Sequence, residues 1–279
     1  MIEKMRRLWS EEELTLALGL YLITPYSKIN KNNPLVIKLS EFLDRTPGSV
    51  SRKLGNFASF DDKVKASGRK GLNNVGKLDR VIWSRFVKDN INFDIQGLYL
   101  SIVNLGNECN IDISFLIDEN QLTSSIDHDP TIVDCNSQKT ETLVLVRQRQ
   151  LQGYFRKAVL ANYETQCLLS GCRVPALLDA AHILPWNEHL DLRLRLDNSL
   201  LLDKFMHTAY DKNLISITPD SKVVLSNHFR QNLGLKNEKF RHYVLGLEGL
   251  HLNFSRLRVK PNKEFLYIRH QEFVAMNKD

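Results

Sequence analysis

The sequence predicts an α+β fold in three parts: a mainly helical domain over residues 1–92, a connector over residues 93–142, and a mixed domain over residues 143–279. Three observations predict this organisation. A capping box, Ser10-Glu-Glu-Glu13, precedes apolar residues at helical spacing. Strand-length apolar runs between turn residues are concentrated in the second half of the chain. Residues 123–142 are polar, acidic and without hydrophobic periodicity, as expected of a linker.

Composition limits the class of protein. The 279 residues are 43% apolar and 25% charged, which is typical of a soluble globular protein. No run approaches the roughly 18 consecutive apolar residues that a membrane-spanning helix needs. Residues 1–10 are charged and lack the apolar core and cleavage site of a signal peptide. We therefore expect a cytoplasmic protein.

The net charge of +6 is unevenly distributed along the chain. Residues 1–90 contain 17 basic and 10 acidic side chains, residues 91–142 contain 1 and 9, and residues 143–279 contain 20 and 13. Two basic blocks therefore flank an acidic one, as expected if both blocks face a polyanion and the middle does not. Ordinary surface charge explains the same numbers equally well.

Four helices are predicted in the N-terminal domain. The first buries a face made by Leu14, Ala17, Leu18, Tyr21 and Leu22. The others are expected from Pro34 to about Asp44, after Thr46-Pro47 with Val50, Leu54 and Phe57 on one face, and from Leu78 to Asp89.

The short helices, a tight turn at residues 45–48 and a polar third helix resemble a helix-turn-helix arrangement. The outer face of the third helix carries Arg52 and Lys53. The basic, glycine-containing loop 63–71 carries Arg69 and Lys70, and its backbone suits close approach to phosphates. We expect these four cations to bind DNA. An interaction module with an incidental basic loop is the alternative.

The cysteines do not predict a disulfide framework, since four in this length are too few and too scattered. Cys167 and Cys172 look like half of a zinc site, but no second closely spaced pair completes it. We expect no structural zinc, and instead two half-buried thiols in a reducing compartment.

The C-terminal domain holds the most specific pattern. A helix is predicted over residues 148–163, a strand over residues 176–185, and a hairpin over residues 214–217 and 222–226. Three ordered motifs are Ala180-Ala-His-Ile-Leu-Pro-Trp186, Asp197-Asn-Ser-Leu-Leu-Leu202 and His207-Thr-Ala-Tyr-Asp211. Together they closely resemble the HNH endonuclease motif, and within it the branch of bacterial restriction-type nucleases. The resemblance covers roughly residues 147–273, with a weaker one over residues 9–83 to a module that accompanies such nucleases.

The resemblance implies a ββα-metal fold with flanking helices and a β-hairpin. In that fold His182 is the general base, because an imidazole titrates near neutral pH. Asn198 braces the loop and holds the base strand. His207 and Asp211 follow each other by four residues on one helical face, so together they bind a divalent metal, Mg²⁺ or Mn²⁺.

One position departs from the family pattern. Many HNH enzymes have a metal-binding residue directly before the base, and here that residue is Ala181. Asp179 shares a strand face with Ala181 but lies about 6–7 Å further back. Whether Asp179 completes the metal site is left open by the sequence.

The resemblance implies a metal-dependent endonuclease that cleaves double-stranded DNA, of restriction type and acting against foreign DNA, with dependence on base modification left open. A homodimer is plausible because one HNH domain per strand gives a double-strand break. The alternative is a helix-turn-helix DNA-binding protein with a non-catalytic HNH domain. A third reading is a nuclease that acts on RNA or on modified DNA.

Overall fold

The structure is a computed structural model that describes residues 7–61, 64, 75–88, 92–108, 112–117, 139–186, 188–234 and 237–278, with side chains from residue 151 in the helix that begins at Lys139. The chain divides into two compact units, Met1–Lys157 and Ala158–Asp279. Helices alternate with short antiparallel strand pairs, so the fold is α+β as predicted. No helix in the described part of the chain combines the length and the apolar character needed to cross a membrane.

The first unit consists of helices and one short strand pair. Its elements in chain order are α1 (Glu11–Ile23), α2 (Pro34–Phe42), α3 (Pro47–Ala58), α4 (Lys77–Phe86), β1 (Val87–Lys88), β2 (Asn92–Phe93), α5 (Ile95–Glu108) and α6 (Ser114–Ile117). The four predicted helices are present. The predicted capping box at Ser10 and Glu13 begins α1, and Thr46 caps α3 by accepting a hydrogen bond from the backbone N–H of Ser49.

Helix α1 is the centre of this unit. The sequence predicts one buried face, whereas every residue from Glu13 to Ile23 is buried. The reason is that α3, α4 and α5 all pack against α1. At Gly19 the approach is so close that an added Cβ would lie 2.3 Å from the Cδ1 atom of Ile102 on α5. A side chain there would therefore displace the Ile102 side chain from its place in the core.

The segment predicted as a connector is partly folded into the first unit. Helix α5 buries Ile95, Leu98, Tyr99 and Ile102, and it packs on α1. Residues 95–108 and 112–117 thus belong to the helical unit, because their apolar side chains complete its core. The acidic linker stretch at residues 123–138 lies outside the described residues.

The second unit carries the nuclease-like motifs. A long helix, α7 (Lys139–Asn162), runs through the boundary between the units and is longer than the predicted helix over residues 148–163. The elements that follow are β3 (Leu178–His182), β4 (Ser199–Asp203), α8 (Lys204–Asp211), β5 (Ile215–Ile217), β6 (Val223–Leu225), α9 (Asn227–Asn232), α10 (Glu238–Leu245) and α11 (Lys263–Met276). The predicted hairpin is confirmed as β5 and β6, which pair antiparallel.

Two strands and one helix position the site. β3 and β4 pair antiparallel, with His182 opposite Ser199 and Asp179 opposite Leu202. Asp203 ends β4 and caps α8, since its carboxylate accepts a hydrogen bond from the Met206 N–H. Buried side chains of α8, among them Tyr210, lie on the side that faces the strands. The order strand, strand, helix is the one that the resemblance implies.

Candidate active site

His182 lies at the end of β3, and a backbone carbonyl fixes its ring. The Nε2 atom lies 2.8 Å from the carbonyl oxygen of Arg193. Because a carbonyl only accepts, Nε2 carries the proton and donates it, and in the neutral ring the lone pair is on Nδ1. Trp186 packs edge-on against the imidazole, with the ring centroids 5.2 Å apart. His182 therefore offers Nδ1 as its basic nitrogen.

The surroundings of His182 favour the neutral ring. Burial lowers its pKa, and this outweighs the hydrogen bond to the Arg193 carbonyl, which raises the pKa. The nearby charges of His207 and Arg193 lower the pKa, whereas Asp211 raises it. Since the pKa lies below the usual value for histidine, the ring is unprotonated and basic at neutral pH.

Asn198 is fully buried and holds the loop after His182. Its side-chain oxygen accepts a hydrogen bond from the Leu184 N–H at 2.9 Å. Its side-chain NH₂ donates to the carbonyls of Leu184 and Leu192, each at 3.3 Å. Its backbone carbonyl accepts from the Ile183 N–H at 3.0 Å. One amide thus ties together both ends of the segment that supplies the carbonyl for His182.

His207 on α8 lies between two carboxylates. Its Nδ1 atom is 3.2 Å from Oδ2 of Asp179, and its Nε2 atom is 3.3 Å from Oδ2 of Asp211. Asp211 is four residues further along α8, on the same helical face, as predicted. All three side chains are partly exposed. The arrangement is an open cluster of two carboxylates and one imidazole.

Asp179 belongs to this cluster, although the sequence left its place open. Ala181 is fully buried and contributes nothing to the exposed cluster. Packing of α8 against β3 brings His207 to Asp179. Asp179 therefore belongs to the cluster because of its contact with His207 on α8, and not because of its position relative to Ala181 on β3.

The donor chemistry of this cluster fits a divalent cation. Carboxylates suit Mg²⁺ and Mn²⁺, and an imidazole is a ligand for Mn²⁺ and the later transition metals. Within the described ranges, no three His, Cys, Asp or Glu side chains are spaced as a ready metal cage. Both ring nitrogens of His207 are in contact with carboxylates. Holding an ion requires His207 to exchange one of these contacts for the metal.

Residues 167–218 match a family model described as HNH endonuclease. This stretch, the HNH segment, contains all three motifs, and with them His182, Asn198, His207 and Asp211. The chain thus includes an HNH endonuclease domain, which supports nuclease activity on DNA. Residues 1–166 and 219–279 lie outside the match. No curated protein matches the chain.

Arg193 is a residue of the HNH segment that sequence reasoning missed. Its guanidinium lies over the Trp186 ring, 4.8 Å from the centroid, and its Nε donates to the Trp186 carbonyl at 2.9 Å. The available signal was the pair of arginines, Arg193 and Arg195, between the base and Asn198. Arg195 is engaged with Asp197 through two hydrogen bonds, the shorter at 2.6 Å.

Residues outside the HNH segment support its strands and helix. Arg269 on α11 is buried, and it donates to the carbonyls of Tyr210 and Asp211 at the end of α8 at 2.8 and 3.3 Å. The next residue, His270, is half-buried, and its Nδ1 lies 3.1 Å from the Ser216 hydroxyl. The Tyr163 hydroxyl donates to the Ser199 carbonyl at 2.8 Å.

The four cations expected to bind DNA have different surroundings. Arg52 on α3 is exposed. Lys53, next to it, forms an ion pair with the buried Asp79 at 2.6 Å, so it has a structural partner within the first unit. Arg69 and Lys70 lie outside the described residues. DNA contact by all four residues stays a prediction. Of the two that are described, Arg52 is the more accessible to DNA.

Cys167 and Cys172 are both free thiols. Cys167 is buried rather than half-buried, and its Sγ accepts hydrogen bonds from the N–H groups of Ser170 and Asp203 at 3.3 and 3.2 Å. The thiol thereby helps to hold the start of α8. Cys109 and Cys135 lie outside the described residues.

Proposed function

We propose that this protein is a metal-dependent HNH endonuclease that cleaves double-stranded DNA, acting as a restriction enzyme against foreign DNA. One observation carries the proposal. His182, with its basic Nδ1, lies on the same strand–strand–helix unit as the Asp179, His207 and Asp211 cluster. Hydrolysis of a phosphodiester needs a base for water and a cation for the developing charge, and this unit offers donors for both.

His182 acts as the general base. Its Nδ1 takes a proton from a water molecule while the water oxygen forms a bond to phosphorus and a P–O ester bond breaks. The lowered pKa keeps the ring unprotonated at neutral pH, and the positive charge that forms on it is stabilised by the Arg193 carbonyl that Nε2 contacts. The same hydrogen bond prevents the ring from presenting its protonated nitrogen to the water.

Asp179, His207 and Asp211 would hold the cation. When bound, a divalent ion stabilises negative charge on the phosphate oxygens and on the leaving oxygen. The two carboxylates compensate the charge of the ion, and Asp211 is the most exposed of the three, with 56% of its side chain accessible. Asn198 acts from a distance, because it fixes the loop that orients His182.

The N-terminal unit is proposed to choose or grip the DNA site. Support comes from the turn between α2 and α3, from exposed Arg52 on α3, and from the basic balance of residues 1–90. A homodimer is proposed because one site cuts one strand. Two copies facing opposite strands would give a double-strand break.

The test is incubation of the purified protein with Mg²⁺ and plasmids of different methylation, followed by sequencing of the cut ends. We expect linear products with defined ends, none in EDTA, and none with His182→Ala. The matched control is His251→Ala, which removes an exposed histidine of the same unit and should cut like the wild type. Equal cutting by His182→Ala and wild type would refute the mechanism.

The same assay separates the alternative, a helix-turn-helix DNA-binding protein whose HNH domain is inactive. Two observations favour that alternative: Ala181 before the base, and the contacts of His207 with carboxylates on both sides. It predicts duplex binding without cleavage under Mg²⁺, Mn²⁺ or any methylation state. Cleavage of any of the plasmids excludes it.

A further inference from the structure

Arg193 is fixed beside the proposed base by three separate contacts. Its backbone carbonyl accepts from His182 Nε2, its guanidinium stacks on Trp186, and its Nε donates to the Trp186 carbonyl. Trp186 in turn packs against the His182 ring. Stacking and a hydrogen bond together hold the guanidinium in one orientation, which a flexible surface arginine does not have.

The charge of Arg193 is not neutralised by a carboxylate. In the part of the chain that the structure describes, it forms no ion pair, and its two terminal NH₂ groups make no hydrogen bond. The other arginines near the site differ. Arg195 is paired with Asp197, and Arg269 is paired with Glu272 and bound to carbonyls. Arg193 is thus a half-exposed cation with a fixed direction and unused donors.

We propose that the terminal NH₂ groups of Arg193 bind a non-bridging oxygen of the nucleic-acid phosphate that His182-activated water attacks. This assignment rests on the proposed function and adds to it the residue that recognises the phosphodiester. A guanidinium suits that ligand because it donates two parallel hydrogen bonds to a phosphate. The guanidinium and the His182 ring both pack against Trp186, so the two groups share one site.

The placement also couples base and substrate. One residue supplies both the carbonyl that sets the His182 tautomer and the cation that holds the phosphate. A shift of this residue would therefore disturb both the orientation of the His182 ring and the phosphate contact. Positioning of this kind can be worth about 100-fold in rate for a displacement of about 1 Å.

The first experiment measures how DNA binding depends on salt, using a fluorescent duplex and Mg²⁺ in a His182→Ala background that does not cut. Each phosphate contact contributes about 0.9 to the slope of log affinity against log salt. We expect Arg193→Gln to lower the slope by about 0.9 and Arg193→Lys to retain it, because lysine keeps the charge. Both variants lose the Nε bond to Trp186, so a purely structural role would change both slopes alike.

The second experiment measures single-turnover cleavage by proteins in which His182 is intact. Arg193→Gln should lower the rate by about 100-fold, the usual effect of losing one donor to a transition-state oxyanion. The matched control is Arg173→Gln, which removes an exposed arginine of the same unit whose only described hydrogen bond is to Gln166. That control should bind and cut like the wild type.

The outcomes distinguish the two proposals. An unchanged slope in Arg193→Gln, or equal losses in Arg193→Gln and Arg193→Lys, overturns the assignment of Arg193 even if the enzyme cuts DNA. A wild type that cuts no DNA refutes the proposed function, while the slope still decides whether Arg193 contacts a phosphate. A lower salt slope of DNA binding in Arg193→Gln but not in Arg193→Lys supports phosphate binding by the guanidinium.

Discussion

Replacing Asn198 by alanine tests whether one buried amide holds the catalytic loop together. The substitution removes the acceptor for the Leu184 N–H and the donors to the carbonyls of Leu184 and Leu192. Leaving a buried polar group unsatisfied costs about 1–3 kcal/mol. The hydrogen bond from the Leu184 N–H, at 2.9 Å, is the strongest of the three, and the two hydrogen bonds to the carbonyls, at 3.3 Å, are weaker. We therefore expect a loss of about 3–4 kcal/mol in the free energy of unfolding of the second unit.

The rate should fall as well. The loop tied by Asn198 supplies the Arg193 carbonyl to His182, and a displacement of about 1 Å costs about 100-fold in rate. We expect Asn198→Ala to cut at least about 100 times more slowly than the wild type at saturating Mg²⁺. Asn198→Asp should not rescue it, because a carboxylate cannot donate to the two carbonyls and would lie buried beside them.

The measurement is urea unfolding followed by hydrogen–deuterium exchange of peptides within residues 178–211, so that the second unit is observed by itself. The matched control is Asn253→Ala, which removes an exposed asparagine that accepts one hydrogen bond from the Ser255 N–H. It should change the unfolding free energy by no more than about 0.5 kcal/mol. An Asn198→Ala protein as stable and as active as this control would refute the reasoning.

Two further predictions concern the first unit. Arg52→Ala should leave the unfolding free energy unchanged but lower the salt slope of DNA binding by about 0.9. Lys53→Ala should lower the unfolding free energy by about 3 kcal/mol, because it leaves buried Asp79 without its ammonium partner. Equal unfolding free energies of the two variants in urea would contradict this. Burial alone would raise the pKa of Glu13, but hydrogen bonds from Arg45, the Ser10 N–H and Arg7 lower it below its usual value. A lowered pKa means stability that is present above the unfolded-state pKa of about 4.3 and is lost as the pH falls through the folded-state value. Acid titration followed by circular dichroism should therefore show a smaller acid-induced loss in Glu13→Gln than in the wild type, and identical losses would count against the role of this carboxylate.

Local signals in the sequence account for the elements that were predicted well. The capping residues Ser10 and Thr46 begin α1 and α3, and helical spacing identifies their buried faces. The HNH motifs placed His182, Asn198, His207 and Asp211 on the expected strand, turn and helix because motif order and spacing follow the ββα connection.

What was not predicted depends on packing between segments that are distant in the chain. Asp179 joins the site only because α8 lies over β3, and strand alternation by itself contains no information about that helix. Arg193 is a different case, since its contact with Trp186 lies only seven residues away in the chain but follows no helix or strand periodicity. Helix α5 is different, since Ile95, Leu98, Tyr99 and Ile102 follow helical spacing and could have identified it.

The hydrogen bonds that Tyr163 and Arg269 donate to the carbonyls of Ser199 and Tyr210 limit how far the chain around the HNH segment can be shortened. A fragment limited to residues 167–218 would lose the Arg269 guanidinium, which contacts the end of α8, and the Tyr163 hydroxyl, which contacts the start of β4. The end of α8 at Asp211 would then fray, because two of its backbone carbonyls would lose their hydrogen-bond donor. We therefore expect the HNH segment to fold as part of the whole compact unit Ala158–Asp279, so chimaeras should be joined ahead of this unit rather than at the edges of the segment.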